Sequence, residues 1–146
     1  MGEHLKTQDK LRAWEIQTGI PLLCPLYNGC MDSHDHLFFA CTYSAKVWMR
    51  VVSLTGLSLP CNQRGVRSML LPCAAHNIVR VVVAKLCFAA VIYFIWQERN
   101  NRMFKKSHRT EVKLFEDIFS TVRLKLLSLR FKNSGYVDSM KQTWQI

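Results

Sequence analysis

A chain of 146 residues, 49% hydrophobic and 21% charged, can bury a core and is too apolar for a disordered polypeptide; it suits one domain, or a metal-stapled module followed by helices. Its 20 Lys and Arg against 10 Asp and Glu leave a formal charge of +10, which fits contact with RNA, DNA or an anionic membrane surface. Residues 1–10 lack the apolar centre of a secretory signal, so a nuclear or cytoplasmic location is expected, not secretion. The six cysteines are then expected as free thiols or metal ligands and not as disulfides.

In chain order, Leu5, Leu11 and Trp14 predict a short amphipathic helix over residues 5–14, with Thr7 as N-cap and Asp9 in its first turn. Gly19 and Pro21 end it. Ser33 then reads as the N-cap of a helical turn carrying His36, Leu37, Phe38 and Phe39 to Cys41. Over residues 44–57, Val47, Trp48, Val51, Val52 and Leu54 have the three-and-four spacing of a one-faced helix, closed by Gly56 and Pro60. Pro60, Gly65 and Pro72 mark a linker with a helical turn near residues 66–71.

Residues 77–104 predict one long helix; the β-branched run 78–83 leaves a strand open there, and length favours the helix. Its charge-free run, 86–96, would rise only ~16 Å as a helix against a hydrocarbon core of ~30 Å, so a buried helix is expected and a membrane partner is not. Residues 110–132 predict the last helix, with Val112, Phe115, Ile118, Phe119, Val122, Leu126 and Leu129 on one stripe. Its acids lie early and its bases late, and Asn133 and Gly135 stop it. The expected fold is mainly α, with a small zinc-knuckle-like N-terminal module over 1–57, a linker over 58–76 and a helical segment with two long helices over 77–146.

The stretch from Cys24 to Cys41 concentrates metal-ligand residue types: Cys24, Cys30, His36 and Cys41, with His34 nearby. A structural zinc ion takes four thiolate or imidazole ligands in a tetrahedron. A cysteine at position 27 would complete Cys-x2-Cys-x8-His-x4-Cys, but the residue there is Tyr27, whose phenol, with a pKa of ~10, is a poor ligand. Three sources remain open for the fourth position. Cys30 reaches it if the Asn28-Gly29 turn folds back, giving Cys-x5-Cys-x5-His-x4-Cys; otherwise His34 or water fills it and zinc binds weakly. Packing as small hydrophobes is the other reading of Cys24 and Cys41, and the expected one for Cys61, Cys73 and Cys87, which have no partner at ligand spacing.

Leu5-Lys-Thr-Gln-Asp9-Lys-Leu11, Trp14, the cysteine loop, Ser33-His-Asp-His36-Leu-Phe-Phe39-Ala-Cys41 and Val47-Trp48 together resemble the zinc-binding region at the C-terminal end of reverse transcriptases of plant non-long-terminal-repeat retrotransposons. Ile95-Trp96-Gln-Glu98-Arg99-Asn100, followed by Phe104, looks like a helix that often follows that region. The resemblance implies Cys24, His36 and Cys41 as zinc ligands and fails at Tyr27. It also implies a role in holding RNA or DNA beside a polymerase, which would itself be a protein partner.

No paired carboxylates for a polymerase or ribonuclease H, no phosphate loop and no nucleophile elbow are present, so the chain is expected to be non-catalytic. For nucleic acid, Arg99, Arg102, Lys105, Lys106 and Arg109 are the candidate phosphate contacts, extended by Lys10 and Arg12. A solvated face explains the same charges. A helical protein-interaction or structural fragment that no longer binds zinc is the alternative, favoured by Tyr27 and by the apolar weight of residues 79–96.

Overall fold

The computed structural model describes residues 23–60, 62–70 and 79–146. The first helix expected, over residues 5–14, lies outside the described residues, as do Lys10, Arg12, Cys61 and Cys73.

Ser33 caps as expected: its Oγ accepts from the His36 amide at 3.2 Å and its carbonyl from Leu37 at 2.9 Å. The turn that begins at His34 widens into a π turn over His36–Ala40, closed by the Cys41 amide donating to the His36 carbonyl at 2.7 Å. Helix α1 (Thr42–Ser53) follows, burying Tyr43, Ser44, Val47, Trp48 and Val51. Gly56 lies beyond its end at φ +65°, a left-handed conformation that a side chain disfavours, and so turns the chain away from the helix.

Helix α2 (Gln63–Leu70) lies in the stretch expected to be a linker, where it extends the helical turn expected near residues 66–71. Asn62 caps it by accepting the Gly65 amide at 2.6 Å, and Val66 is fully buried. Helix α3 (Val79–Asn100) is the long helix expected, and the strand alternative does not occur over its described residues. Val81, Val83, Ala84, Cys87, Val91 and Ile95 form its buried stripe. A second π turn, Asn101–Lys105, prolongs it and stops at Lys106 in the left-handed conformation.

Helix α4 (Glu111–Leu127) is N-capped by Thr110, whose hydroxyl accepts from the Lys113 amide at 3.2 Å. Its core stripe is Leu114, Ile118, Val122 and Leu126, whereas Val112, expected inside, is exposed. The helix ends at Leu127, five residues before the expected limit. There the Ser128 hydroxyl bonds back to the Lys125 carbonyl at 2.7 Å, and Leu129 and Phe131 turn in to pack on the core. The expected stop at Gly135 is instead a start: helix α5 (Gly135–Trp144) is capped by Ser134 and buries Val137, Met140 and Trp144. Trp144 stacks on Phe119 with ring centroids 5.0 Å apart.

Helices α1, α3 and α4 pack pairwise, and a single core cluster runs from Cys24 through Trp48, Cys87 and Ile118 to Trp144. Elements on both sides of the stretch expected as a linker therefore share one core. Phe39, Trp48 and Phe88 form its aromatic joint, with centroids 5.8 to 6.4 Å apart, so the apolar residues after His36 support the loop above them. Among the described residues the structure is helical, apart from an isolated antiparallel bridge between Leu23 and Met31.

Candidate metal centre

That bridge closes the loop that presents Cys24. The Cys24 amide donates to the Cys30 carbonyl at 2.8 Å, Tyr27 donates back to the Cys24 carbonyl at 3.2 Å, and Gly29 to Tyr27 at 2.8 Å. The Tyr27 ring lies against Gly29, where a Cβ would meet its Cε1 at 2.7 Å, so a side chain at 29 would displace the ring. Tyr27 is 48% exposed and Cys30 is exposed as well, whereas Cys24 and Cys41 have no exposed surface.

Cys24, His36 and Cys41 converge from three places: the loop, the π turn and the start of α1. Their ligand atoms all lie within 4.8 Å of one another. The π-type bond from Cys41 to His36 sets two of these residues across one turn, so the four-residue spacing between them has a local cause. Tetrahedral zinc with thiolate and imidazole ligands needs separations of roughly 3.5–3.8 Å, close to what the group offers. His36 Nε2 is buried with no hydrogen-bond partner, a state that costs free energy and that a metal ion would relieve. The donor set therefore fits zinc at three positions.

The two thiols hydrogen-bond to each other, and this bond is the main reason the proton stays on Cys24 while Cys41 is held well below the usual thiol range. Burial opposes the charge on Cys41. The Ser44 and Tyr43 amides at the start of α1, together with His36, support it. On the other side, the Leu26 and Tyr27 amides face the Cys24 sulfur and favour its charged form. Metal binding at such a pair releases the remaining proton.

Of the residues expected as ligands, Cys30 stands outside the group, because the hairpin-like loop turns its side chain to solvent. His34 is also outside it; its buried Nε2 has no partner and its ring meets Phe38 edge-on at 4.9 Å. Cys87 is a core residue, as expected, its thiol pushed up to about 12 by burial.

The basic residues at the end of α3 are placed differently from one another. Arg99 is 1% exposed and grips the buried Asp32 with two nitrogens; its guanidinium also lies 5.0 Å from the Trp96 ring. Glu98, fully buried, accepts from Arg102 at 2.8 Å and from both the amide and the side chain of Arg109 at 2.8 Å. Arg109 also pairs with Asp117 at 2.9 Å. Arg102 reaches back to the loop, donating to the carbonyls of Pro25 and Leu26 at 3.3 Å each. Of the seven arginines and lysines expected on phosphate five are described, and of these Arg99, Arg102 and Arg109 are engaged inside the fold while Lys105 and Lys106 are exposed. Asp32 and Glu98 were not among the residues singled out by spacing; the partner of Asp32 lies 67 residues away, beyond any local pattern, whereas Glu98 and Arg102 are four apart and helical spacing could have marked them.

Fold and site together describe a protein that is helical over its described residues, with a Cys-His-Cys group that could hold a metal ion. Residues 1–48 match the family model described as zinc-binding in reverse transcriptase, in agreement with the resemblance read from the cysteine loop. No curated protein and no solved structure matches the chain.

Proposed function

We propose that this chain is a non-catalytic zinc-binding module that holds RNA or DNA, of the kind that accompanies a retroelement polymerase. The observation that carries the zinc reading is the convergence of Cys24, His36 and Cys41 around an unpartnered imidazole nitrogen, within the segment that matches the zinc-binding family model. The chain's own residues set the site: Cys24 and Cys41 would hold the ion through sulfur and His36 through an imidazole nitrogen. When bound, zinc would supply a structural cross-link between loop, π turn and α1.

The nucleic-acid reading rests on the charge of +10 and on exposed Lys105 and Lys106 beside the loop-bound end of α3. Phosphate binding by such residues releases counterions and falls steeply with salt. Elemental analysis of the reduced protein is the first test. About one zinc per chain, lost in Cys41→Ser and kept in Cys30→Ser, is expected; zinc indifferent to Cys41→Ser would overturn the metal reading. Anisotropy titrations with single-stranded RNA and DNA should then show affinity that drops with salt and with Lys105→Ala/Lys106→Ala.

One observation favours a second reading, a helical protein-interaction fragment. The helical segment Val79–Lys105 contains an 18-residue window of mean hydropathy 2.0, of which 33% is buried, and by length and composition alone this segment could cross a membrane. Self-association insensitive to salt, without nucleic-acid binding, would select the protein-interaction reading.

A further inference from the structure

The side chain of Arg102 lies almost wholly inside the structure, 12% exposed, and is held from four sides. Its Nε donates to Glu98 at 2.8 Å and one terminal nitrogen to the Arg109 carbonyl at 2.9 Å; its guanidinium carbon sits 4.7 Å from the centre of the Tyr43 ring. The other terminal nitrogen donates to the carbonyls of Pro25 and Leu26.

Those two carbonyls belong to the peptide groups whose opposite ends are the amides of Leu26 and Tyr27. No peptide bond described is cis, so in each group the carbonyl and the N–H point in opposite directions. The Tyr27 amide donates to the Cys24 carbonyl at 3.2 Å and the Cys24 amide to the Cys30 carbonyl at 2.8 Å, so these two peptides form the turn that presents the Cys24 side chain. Tyr43, under the guanidinium, lies in the first turn of α1, two residues after Cys41.

We infer that Arg102 is a positioning residue for the metal centre, fixing through the Pro25 and Leu26 carbonyls the turn that presents the Cys24 side chain as a ligand. This rests on the zinc reading above and deepens it: the centre is completed by a residue on the turn after α3, well beyond residues 1–48. Partners that orient metal ligands from behind are worth roughly 10- to 100-fold in metal affinity. A positive charge alone is not enough. Lysine keeps the charge and can reach Glu98, but it lacks the planar fork that serves Glu98 and both carbonyls at once.

The test is cobalt(II) titration of the full-length reduced protein, read from the sulfur-to-cobalt charge-transfer band, with far-UV circular dichroism to verify folding. Parent, Arg102→Lys, Arg102→Met and Asp117→Asn are compared. Asp117→Asn breaks the outer Arg109 pair and weakens the packing of α3 on α4 without touching the loop peptides. Arg102→Lys, folded, is expected to bind cobalt about 10- to 100-fold more weakly with an altered band, and Arg102→Met to lose at least as much. Asp117→Asn should retain the parent's affinity and band. Arg102→Lys matching the parent, or weakened only as much as Asp117→Asn with an unchanged band, overturns the role of Arg102 and leaves the zinc reading standing. A parent that takes up no cobalt overturns both.

Discussion

Glu98 is fully buried and serves two arginines, an arrangement that is costly to build and costlier to break. Burial by itself pushes its carboxyl up, but hydrogen bonds from Arg102 and from the amide and side chain of Arg109 outweigh it and hold the group below the ordinary glutamate range. A carboxyl lowered in the folded state stabilises the fold fully above its unfolded value of about 4.3, and that contribution is lost as pH falls through the folded value. Urea midpoints measured in chelator between pH 6 and pH 3 should therefore fall more for the parent than for Glu98→Gln. At pH 7 the variant should be less stable by about 3 kcal/mol, the lower end for a broken buried pair because glutamine keeps one acceptor. Tyr27 offers the opposite experiment. Its ring lies on Gly29 and contributes nothing to the ligand group, so Tyr27→Cys should raise cobalt affinity at least about tenfold and intensify the thiolate band. Unchanged affinity would mean that position 27 does not face the centre.

Among the elements, α1 and α4 were legible because each carries an apolar stripe at helical spacing, α3 because its apolar run is too long for a strand, and Ser33 announced the cap of the turn before α1. Helix α5 was not, although Ser134 with Val137, Met140 and Trp144 is a cap followed by a three-and-four stripe. Asn133 and Gly135 look like a stop, and at a short helix such turn formers outweigh three apolar positions. The element matters all the same: Trp144 is fully buried against Phe119, and Arg123 donates to the Gln145 carbonyl at 2.9 and 3.2 Å. Trp144→Ala should cost about 3–5 kcal/mol in urea denaturation, as for other large aromatic truncations in a core. A loss under about 1 kcal/mol would show that α5 is not docked.

For the whole molecule, the candidate metal site and the helices are expected to stand or fall together. The candidate ligands Cys24 and Cys41 belong to the same core as Trp48, Ile118 and Trp144, and Arg99 and Arg102 tie the far end of α3 to the loop. Chelation should thus lower the stability of every helix at once. A thermal melt followed by far-UV and by tryptophan signals should show a single transition, shifted down on adding chelator; zinc held at 100 times its Kd corresponds to about 2.7 kcal/mol. Two transitions, only one of them sensitive to chelator, would separate a metal module from an independent helical bundle.

The sequence by itself determined the candidate ligand types at Cys24, His36 and Cys41, the helical character of the described residues and the cap at Ser33, because all of these rest on neighbours within a turn or two. Tertiary structure alone decided that Cys30 stays outside the candidate site, that the helical stretch within the expected linker packs Val66 into the shared core, and that Arg99, Arg102 and Arg109 face inward. Asp32 and Arg99 are 67 residues apart and pair only because α3 passes under the loop. A run of basic residues reads the same whether solvent or a buried carboxylate waits opposite it, and burial makes that choice: a guanidinium leaves water only where an anion or carbonyls replace the lost hydration.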